Sequence, residues 1–139
     1  MSQGNTGCRR WASTHLPVRG EGGPVARRYY CPVELTLDVV GGRWKAVILA
    51  HLKEGVHRYG ELRRRMPGIS EKMLTQQLRE LESDGLVERE AFDERPPRVE
   101  YRLTLDGGAL GPALQALYEW GERRAAAEGI AFAPLPDAP

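Results

Sequence analysis

Residues Pro67–Leu81 read PGISEKMLTQQLREL, and this segment is the strongest indication of the fold. It places a Pro-Gly turn directly before a helix. Ser70 suits the N-cap position, because its hydroxyl can accept a hydrogen bond from an unpaired amide of the first turn. Leu74, Leu78 and Leu81 recur at helical spacing and predict one apolar face. The stretch therefore predicts a helix that packs on one side and presents polar side chains on the other.

Further elements are predicted on both sides of this helix, which runs to about Asp84. Two short runs, 86–92 and 99–103, alternate as strands do, and a loop at 93–98 joins them. Helices are also expected at 32–40, 44–53, 59–65 and from about 109 to 128. This order predicts a mainly α fold with a small β-hairpin wing, a winged helix-turn-helix. We expect a flexible basic arm at 1–28, the domain at 29–129 and a loose tail at 130–139.

Positive charge is concentrated around the helix-turn-helix. The net charge is only +1 over 139 residues, and that value neither demands nor excludes nucleic acid. Residues 58–79 carry six cationic side chains against two carboxylates, a local charge of +4. The arm at 1–30 also carries +4, whereas residues 104–139 carry −3. The pattern indicates a DNA-facing surface near the central helix.

Composition and motifs argue against several other classes. A hydrophobic share of 41% and a charged share of 28% are typical of soluble globular proteins. No apolar run is long enough for a membrane helix or a signal peptide, so we expect no membrane partner and a cytoplasmic location. Two cysteines cannot form a disulfide scaffold or a Cys-rich zinc site. Catalytic motifs and metal-ligand spacings are missing, so we expect no enzyme, no cofactor and no metal.

The central helix carries the main candidates for contact with double-stranded DNA. A major groove admits one α-helix, whose exposed side chains can reach base edges. Long cationic side chains can contact phosphate or guanine, the Gln76 amide can pair with adenine, and Thr75 can touch a thymine methyl group or a phosphate. The alternative is an ordinary amphipathic helix with a solvated polar face. The candidates are Ser70, Lys72, Met73, Thr75, Gln76 and Arg79.

Arginines outside this helix are further candidates. Arg95 and Arg98 flank Pro96-Pro97, and the prolines are expected to hold the loop extended and present the arginines to a narrow minor groove. We rank Arg98 slightly above Arg95, and a plain exposed turn is the alternative. Arg58, at the start of the third helix, can clamp a phosphate.

Several motifs, taken in order, resemble the HxlR family of bacterial transcription regulators. They begin with Cys31-Pro32-Val33-Glu34 and Gly41-Gly42-Arg43-Trp44-Lys45. Tyr59-Gly60-Glu61-Leu62-Arg63, the segment from Pro67 to Val87, Pro96 to Tyr101 and Trp120-Gly121 follow. The resemblance covers about residues 31–121. Thr104-Leu105-Asp106-Gly107 departs from the family's Thr-Glu-Leu-Gly, so we expect a shifted start of the last helix.

The resemblance implies how such a protein works. It implies a homodimer of winged helices, with the first and last helices forming the dimer contact. It also implies a sequence-specific regulator that binds inverted-repeat operators, and we expect a repressor. Some members of the family sense oxidants or electrophiles through a cysteine at the position of Cys31. An oxidant or small-molecule effector is therefore among the implied partners.

Cys31 is the redox-sensing candidate because it directly precedes a helix. The unpaired amides and the dipole at a helix N-terminus stabilise a thiolate. The alternative is an unreactive thiol packed under the dimer contact. For the whole chain, the competing function is a winged helix that binds proteins without specific DNA readout.

Overall fold

The computed structural model describes residues 29–134. The predicted arm at 1–28 and the end of the predicted tail, 135–139, lie outside the described residues. The chain divides into two units, with the boundary between Gly42 and Arg43, and each is described by itself.

Within its described residues, 29–42, the first unit forms one helix, α1 (Pro32–Val40). Cys31 is its N-cap and Pro32 its first residue, where the missing N–H costs little. The Tyr29 hydroxyl donates to the Asp38 carboxylate at 2.5 Å. The helix has the predicted bounds, and it buries Val40 but exposes Val33 and Leu37.

The second unit contains the remaining helices and strands. Its helices are α2 (Lys45–Lys53), α3 (Tyr59–Arg65), α4 (Glu71–Ser83), α5 (Leu105–Gly108) and α6 (Gly111–Glu128). Its strands are β1 (His57–Arg58), β2 (Val87–Phe92) and β3 (Arg98–Leu103). The mainly helical fold with a β-hairpin wing is confirmed.

The sheet has three antiparallel strands in the order β1-β3-β2, one more than predicted. β1 pairs with β3 through His57 opposite Tyr101 and Arg58 opposite Glu100. A strand of two residues has no alternation to detect, and its pairing comes from the fold. This pairing places the start of α3 beside the wing.

The last helix begins later than predicted. Residues 105–108 form the short α5, and α6 starts at Gly111 rather than near Ala109. Thr104 caps α5, because its hydroxyl accepts from the Gly107 amide at 3.0 Å and donates to the Gly85 carbonyl at 2.6 Å. A Cβ on Gly107 would lie 2.0 Å from the Leu86 carbonyl oxygen, so a side chain does not fit there.

The core of the second unit lies between the helices and the sheet. Its fully buried side chains are Ile48, Leu49, Leu62, Met66, Leu74, Leu78, Leu81 and Val87. The three leucines of α4 are the predicted apolar face of that helix. Their burial fixes the rotation of α4 and leaves its polar side outward.

The turn before α4 has the predicted chemistry. Gly68 has φ +97, a left-handed conformation that favours glycine. The Ser70 hydroxyl accepts from the Met73 amide at 3.0 Å, which satisfies one unpaired donor of the first turn. Turn and cap together set where α4 starts and how its exposed N-terminal end is directed.

Candidate DNA-binding surface

The exposed side of α4 carries two cations that no carboxylate neutralises. Lys72 and Arg79 are both exposed, and neither forms an ion pair with any residue between 29 and 134. Met73 is more than one third exposed near the N-terminal end. Such cations keep their full attraction for phosphate.

A groove along this helix gathers the predicted residues of its polar face. Its lining includes Lys72, Thr75, Gln76 and Arg79. Tyr59, at the start of α3, also lines it, and its hydroxyl lies 3.2 Å from both the Glu71 carbonyl oxygen and the Thr75 hydroxyl. Thr75 is therefore half-buried and tied to α3, which leaves it less available to DNA than the sequence suggested.

Glu80 connects the groove to α2. One of its carboxylate oxygens accepts from Lys45 Nζ at 2.7 Å. The other accepts from Gln76 Nε2 at 3.1 Å. The hydrogen bond from Lys45, followed by that from Gln76, lowers the pKa of Glu80 below its ordinary value. The carboxylate is thus ionised at neutral pH, and the predicted base-reading amide is bonded to it.

Arg89 is a candidate that the sequence analysis missed. This β2 residue lines a polar cleft beside α4 together with Arg79, Thr75, Glu82 and Tyr101. Arg89 is exposed and forms no ion pair within the described part of the chain. Its place in the alternation of β2 predicts only a solvent-facing side chain, and its nearness to Arg79 could not be predicted from the sequence.

The wing reverses the predicted ranking of its two arginines. Arg98 donates to Glu94 at 2.7 Å and to Glu100 at 2.6 Å, and only 23% of its side chain is exposed. Hydrogen bonding to Glu94 raises the pKa of Arg98. Arg95, in contrast, is exposed, and no described residue pairs with it. The geometry favours Arg95 as the wing contact, because the charge of Arg98 is already neutralised.

The cations around α3 also differ in whether a carboxylate neutralises them. Arg58 is exposed at the junction of β1 and α3, and its side chain forms no ion pair among the described residues. Arg63 pairs with Glu71 at 3.6 Å and Arg65 with Glu54 at 3.4 Å. Arg58 is therefore the member of this set that is best placed for phosphate.

Large apolar side chains are exposed on the last helix. Leu117, Tyr118 and Trp120 are all more than half exposed on α6, and Phe132 lies beside the first two in a shared groove. Trp120 therefore does not belong to the core of the described residues. Exposure of this many large side chains on one helix is unusual for a surface that faces only water.

The fold and this surface define a winged helix-turn-helix protein. Residues 39–128 match the family model described as HxlR-like helix-turn-helix. The chain belongs to this family, as the resemblance predicted. It is accordingly a DNA-binding transcriptional regulator of the helix-turn-helix type.

Proteins similar to this chain are named as transcriptional regulators of the helix-turn-helix type. The uncharacterized HTH-type transcriptional regulator YybR of Bacillus subtilis (strain 168) is 52% identical over 92 residues, 66% of this chain and 74% of that relative. An HTH-type regulator of Methanothermobacter thermautotrophicus is 51% identical over 94 residues, 68% of this chain and 72% of that relative. The relatives are thus named as regulators of transcription, the class that the sequence favoured over an enzyme.

Solved structures agree with this fold. The redox regulator HypR in its oxidized form matches with a TM-score of 0.65 and 52% identity, over 67% of this chain and 96% of that chain. The reduced transcriptional regulator YodB from B. subtilis matches with a TM-score of 0.58 and 37% identity, over 67% of this chain and 92% of that chain.

Across residues 29–134, no helix is both long and apolar enough to cross a membrane.

Proposed function

We propose that the protein is a sequence-specific repressor that binds an inverted-repeat operator as a homodimer. The observation that carries this proposal is the pair of exposed, un-neutralised cations Lys72 and Arg79 on a helix whose opposite side is buried. α4 enters the major groove, and Ser70, Met73 and Gln76 lie toward the end that reaches base edges.

Arginines outside α4 are proposed to contact phosphates around the bases that α4 reads. Arg58 and Arg89 lie on either side of α4 in sequence, and Arg95 projects from the wing loop. Each carries a charge that no carboxylate of the described chain neutralises. Phosphate neutralisation releases counterions, so most of the binding free energy is expected to depend on salt.

The proposal is tested by replacing the α4 face. The triple variant Lys72→Ala, Gln76→Ala and Arg79→Ala is expected to keep its thermal unfolding midpoint, because all three side chains are exposed. Its binding to operator DNA should be lost in an anisotropy titration. The matched control is Arg63→Ala on α3, which removes an exposed arginine that already pairs with Glu71 and should leave operator binding intact. Full operator binding by the α4 variant would refute the assignment and favour a protein-binding winged helix.

A second copy of the chain is the proposed cover for the exposed apolar side chains of α6. The family resemblance assigns this role to the terminal helices, and α1 likewise exposes Val33 and Leu37. Two-fold symmetry would place the recognition helices about one DNA turn apart, ~10–10.5 bp or a multiple. A footprint without two-fold symmetry would contradict the dimer.

Cys31 is the proposed redox sensor of this regulator. It is the N-cap of α1 and is partly exposed. HypR, which is 52% identical to this chain over the shared region, is named a redox regulator. Oxidation of the thiol by peroxide is expected to release the operator from the wild type and not from Cys31→Ser. Equal release from both proteins would exclude sensing by this cysteine.

A further inference from the structure

The hydrogen bonds around Glu80 determine which way the Gln76 amide faces. Gln76 and Glu80 are four residues apart, so they are neighbours on one side of α4. Both line the groove that carries Lys72 and Arg79. Glu80 is thus a carboxylate on a surface proposed to bind DNA, where such a group would ordinarily repel phosphate.

Lys45 removes that repulsion. Only 13% of its side chain is exposed, and its ammonium lies 2.7 Å from one oxygen of Glu80. The cation is thus held against the carboxylate from the α2 side rather than projecting into the groove. The pair lets an acidic side chain stand beside the proposed DNA surface with its charge compensated.

The second oxygen of Glu80 then sets the orientation of the amide. An ionised carboxylate can only accept hydrogen bonds, so a glutamine bonded to it must turn its Nε2 toward it. The Gln76 Nε2 lies 3.1 Å from this oxygen. The amide oxygen, Oε1, is consequently left to face other partners as an acceptor.

We infer that Lys45 and Glu80 are positioning residues that make Gln76 select adenine over guanine. This inference rests on the proposed function, since it concerns a base read by α4. In the major groove adenine presents an N6 donor and the N7 acceptor, whereas guanine presents two acceptors, O6 and N7. An outward Oε1 accepts from adenine N6 but meets the guanine O6 acceptor to acceptor.

Glu80→Gln is the most informative variant, because it reverses the hydrogen bond that the Gln76 amide must make and leaves the shape of side chain 80 almost unchanged. Lys45 has only donors, so it should take the oxygen of the new amide. The nitrogen of that amide then faces Gln76 and needs an acceptor. Gln76 must turn its Oε1 inward and its Nε2 outward, and Nε2 can donate to guanine O6 or N7.

The measurement is selection from a pool of randomised DNA duplexes by the full-length protein, followed by sequencing. Gln76→Ala first locates the base pair that Gln76 reads, as the position whose preference disappears. At that position Glu80→Gln is expected to lower the adenine-to-guanine ratio by roughly tenfold or more. In the Gln76→Ala background the same substitution should leave the ratio unchanged, which isolates the action through Gln76.

The chain contains a matched control. Gln115 and Glu119 form the same four-residue pair on α6, with Gln115 Nε2 donating to Glu119 at 3.1 Å. Lys53 bonds to that glutamine as well, at 3.1 Å. Glu119→Gln therefore repeats the substitution away from α4, and we expect the selected sequences to match the wild type.

The outcomes separate the two proposals. Selection of no sequence by a folded wild type would refute the proposed function itself. If the wild type selects a sequence, an unchanged profile for Gln76→Ala, or an unchanged adenine-to-guanine ratio for Glu80→Gln, would overturn the inference and leave the regulator intact. Thermal unfolding of each variant confirms that a changed ratio does not come from a loss of folding.

Discussion

Arg98 lies over the ring of Phe92, with its guanidinium carbon 3.8 Å from the ring centroid. The two residues are opposite each other where β2 and β3 leave the wing loop. A cation held over an aromatic face, and bonded to two carboxylates, stabilises the base of the loop. In this position Arg98 supports the wing, and Arg95 is the wing arginine that we propose contacts DNA.

Arg95 and Arg98 should therefore respond differently to replacement by alanine. Arg95→Ala is expected to weaken operator binding by about 1 kcal/mol, roughly fivefold in Kd, without changing the unfolding midpoint. Arg98→Ala should lower the midpoint, because it removes the contact with Phe92 and leaves Glu94 and Glu100 without their shared cation. Anisotropy titrations and thermal unfolding of both variants measure the difference. A greater loss of affinity for Arg98→Ala at unchanged stability would restore the ranking made from the sequence.

Arg79 and Arg89 are expected to contact phosphate from the two sides of one cleft. Each replacement by alanine should reduce the slope of log K against log salt by about 1.8, because both subunits of the proposed dimer lose a contact worth about 0.9. Arg63→Ala is the control, since Arg63 already pairs with Glu71. Titrations at several salt concentrations give the slopes. An unaltered slope for Arg89→Ala would remove this residue from the interface.

His51 is expected to make folding stability dependent on pH. Burial, followed by the charge of Arg65, lowers the pKa of His51 below its ordinary value of 6.5. Glu54 and a hydrogen bond to the Arg65 backbone act in the opposite direction, and nearby His57 adds to the lowering. The folded state thus favours neutral His51. Its stabilising contribution is present above pH 6.5 and is lost as the pH falls through the lowered folded pKa.

The free energy of unfolding is expected to decrease between pH 7.5 and pH 5, with a shallower decrease for His51→Gln. Urea denaturation at a series of pH values measures both curves. His15→Gln is the control, because its position in the sequence lies outside the domain predicted at 29–129. Identical slopes for the wild type and His51→Gln would show that this histidine does not couple folding to protons.

The features of this fold that could be predicted are those that produce a pattern in the local sequence. The spacing of Leu74, Leu78 and Leu81 predicted the buried face of α4, and Ser70 predicted its cap. β1 escaped detection because two residues contain no period, and its pairing with β3 depends on the folded chain. The short α5 before α6 also escaped detection, and its residue Gly107 lies against Leu86 from a distant segment of the chain.

The proposed site was predictable to a similar degree. Exposed cations on α4 follow from its helical period, so Lys72 and Arg79 could be named from the sequence. Arg89 could not, because its nearness to Arg79 depends on how β2 packs against α4. Ion pairing cannot be predicted from a sequence pattern either. It neutralises Arg98 and leaves Arg95 without an ion pair among the described residues. The exposure of Trp120 shows the same limit, since an apolar residue of a helix can face either a core or a partner.

Sequence-specific DNA binding can be measured by a fluorescence-anisotropy titration of the purified protein on two duplexes at matched salt. One duplex comes from upstream of its own gene, and the other has the same base composition in shuffled order. A sequence-specific regulator is expected to bind the first duplex at least about 1,000-fold more tightly than the second. Equal, weak binding to both, and to every duplex recovered from a randomised pool, would contradict the account.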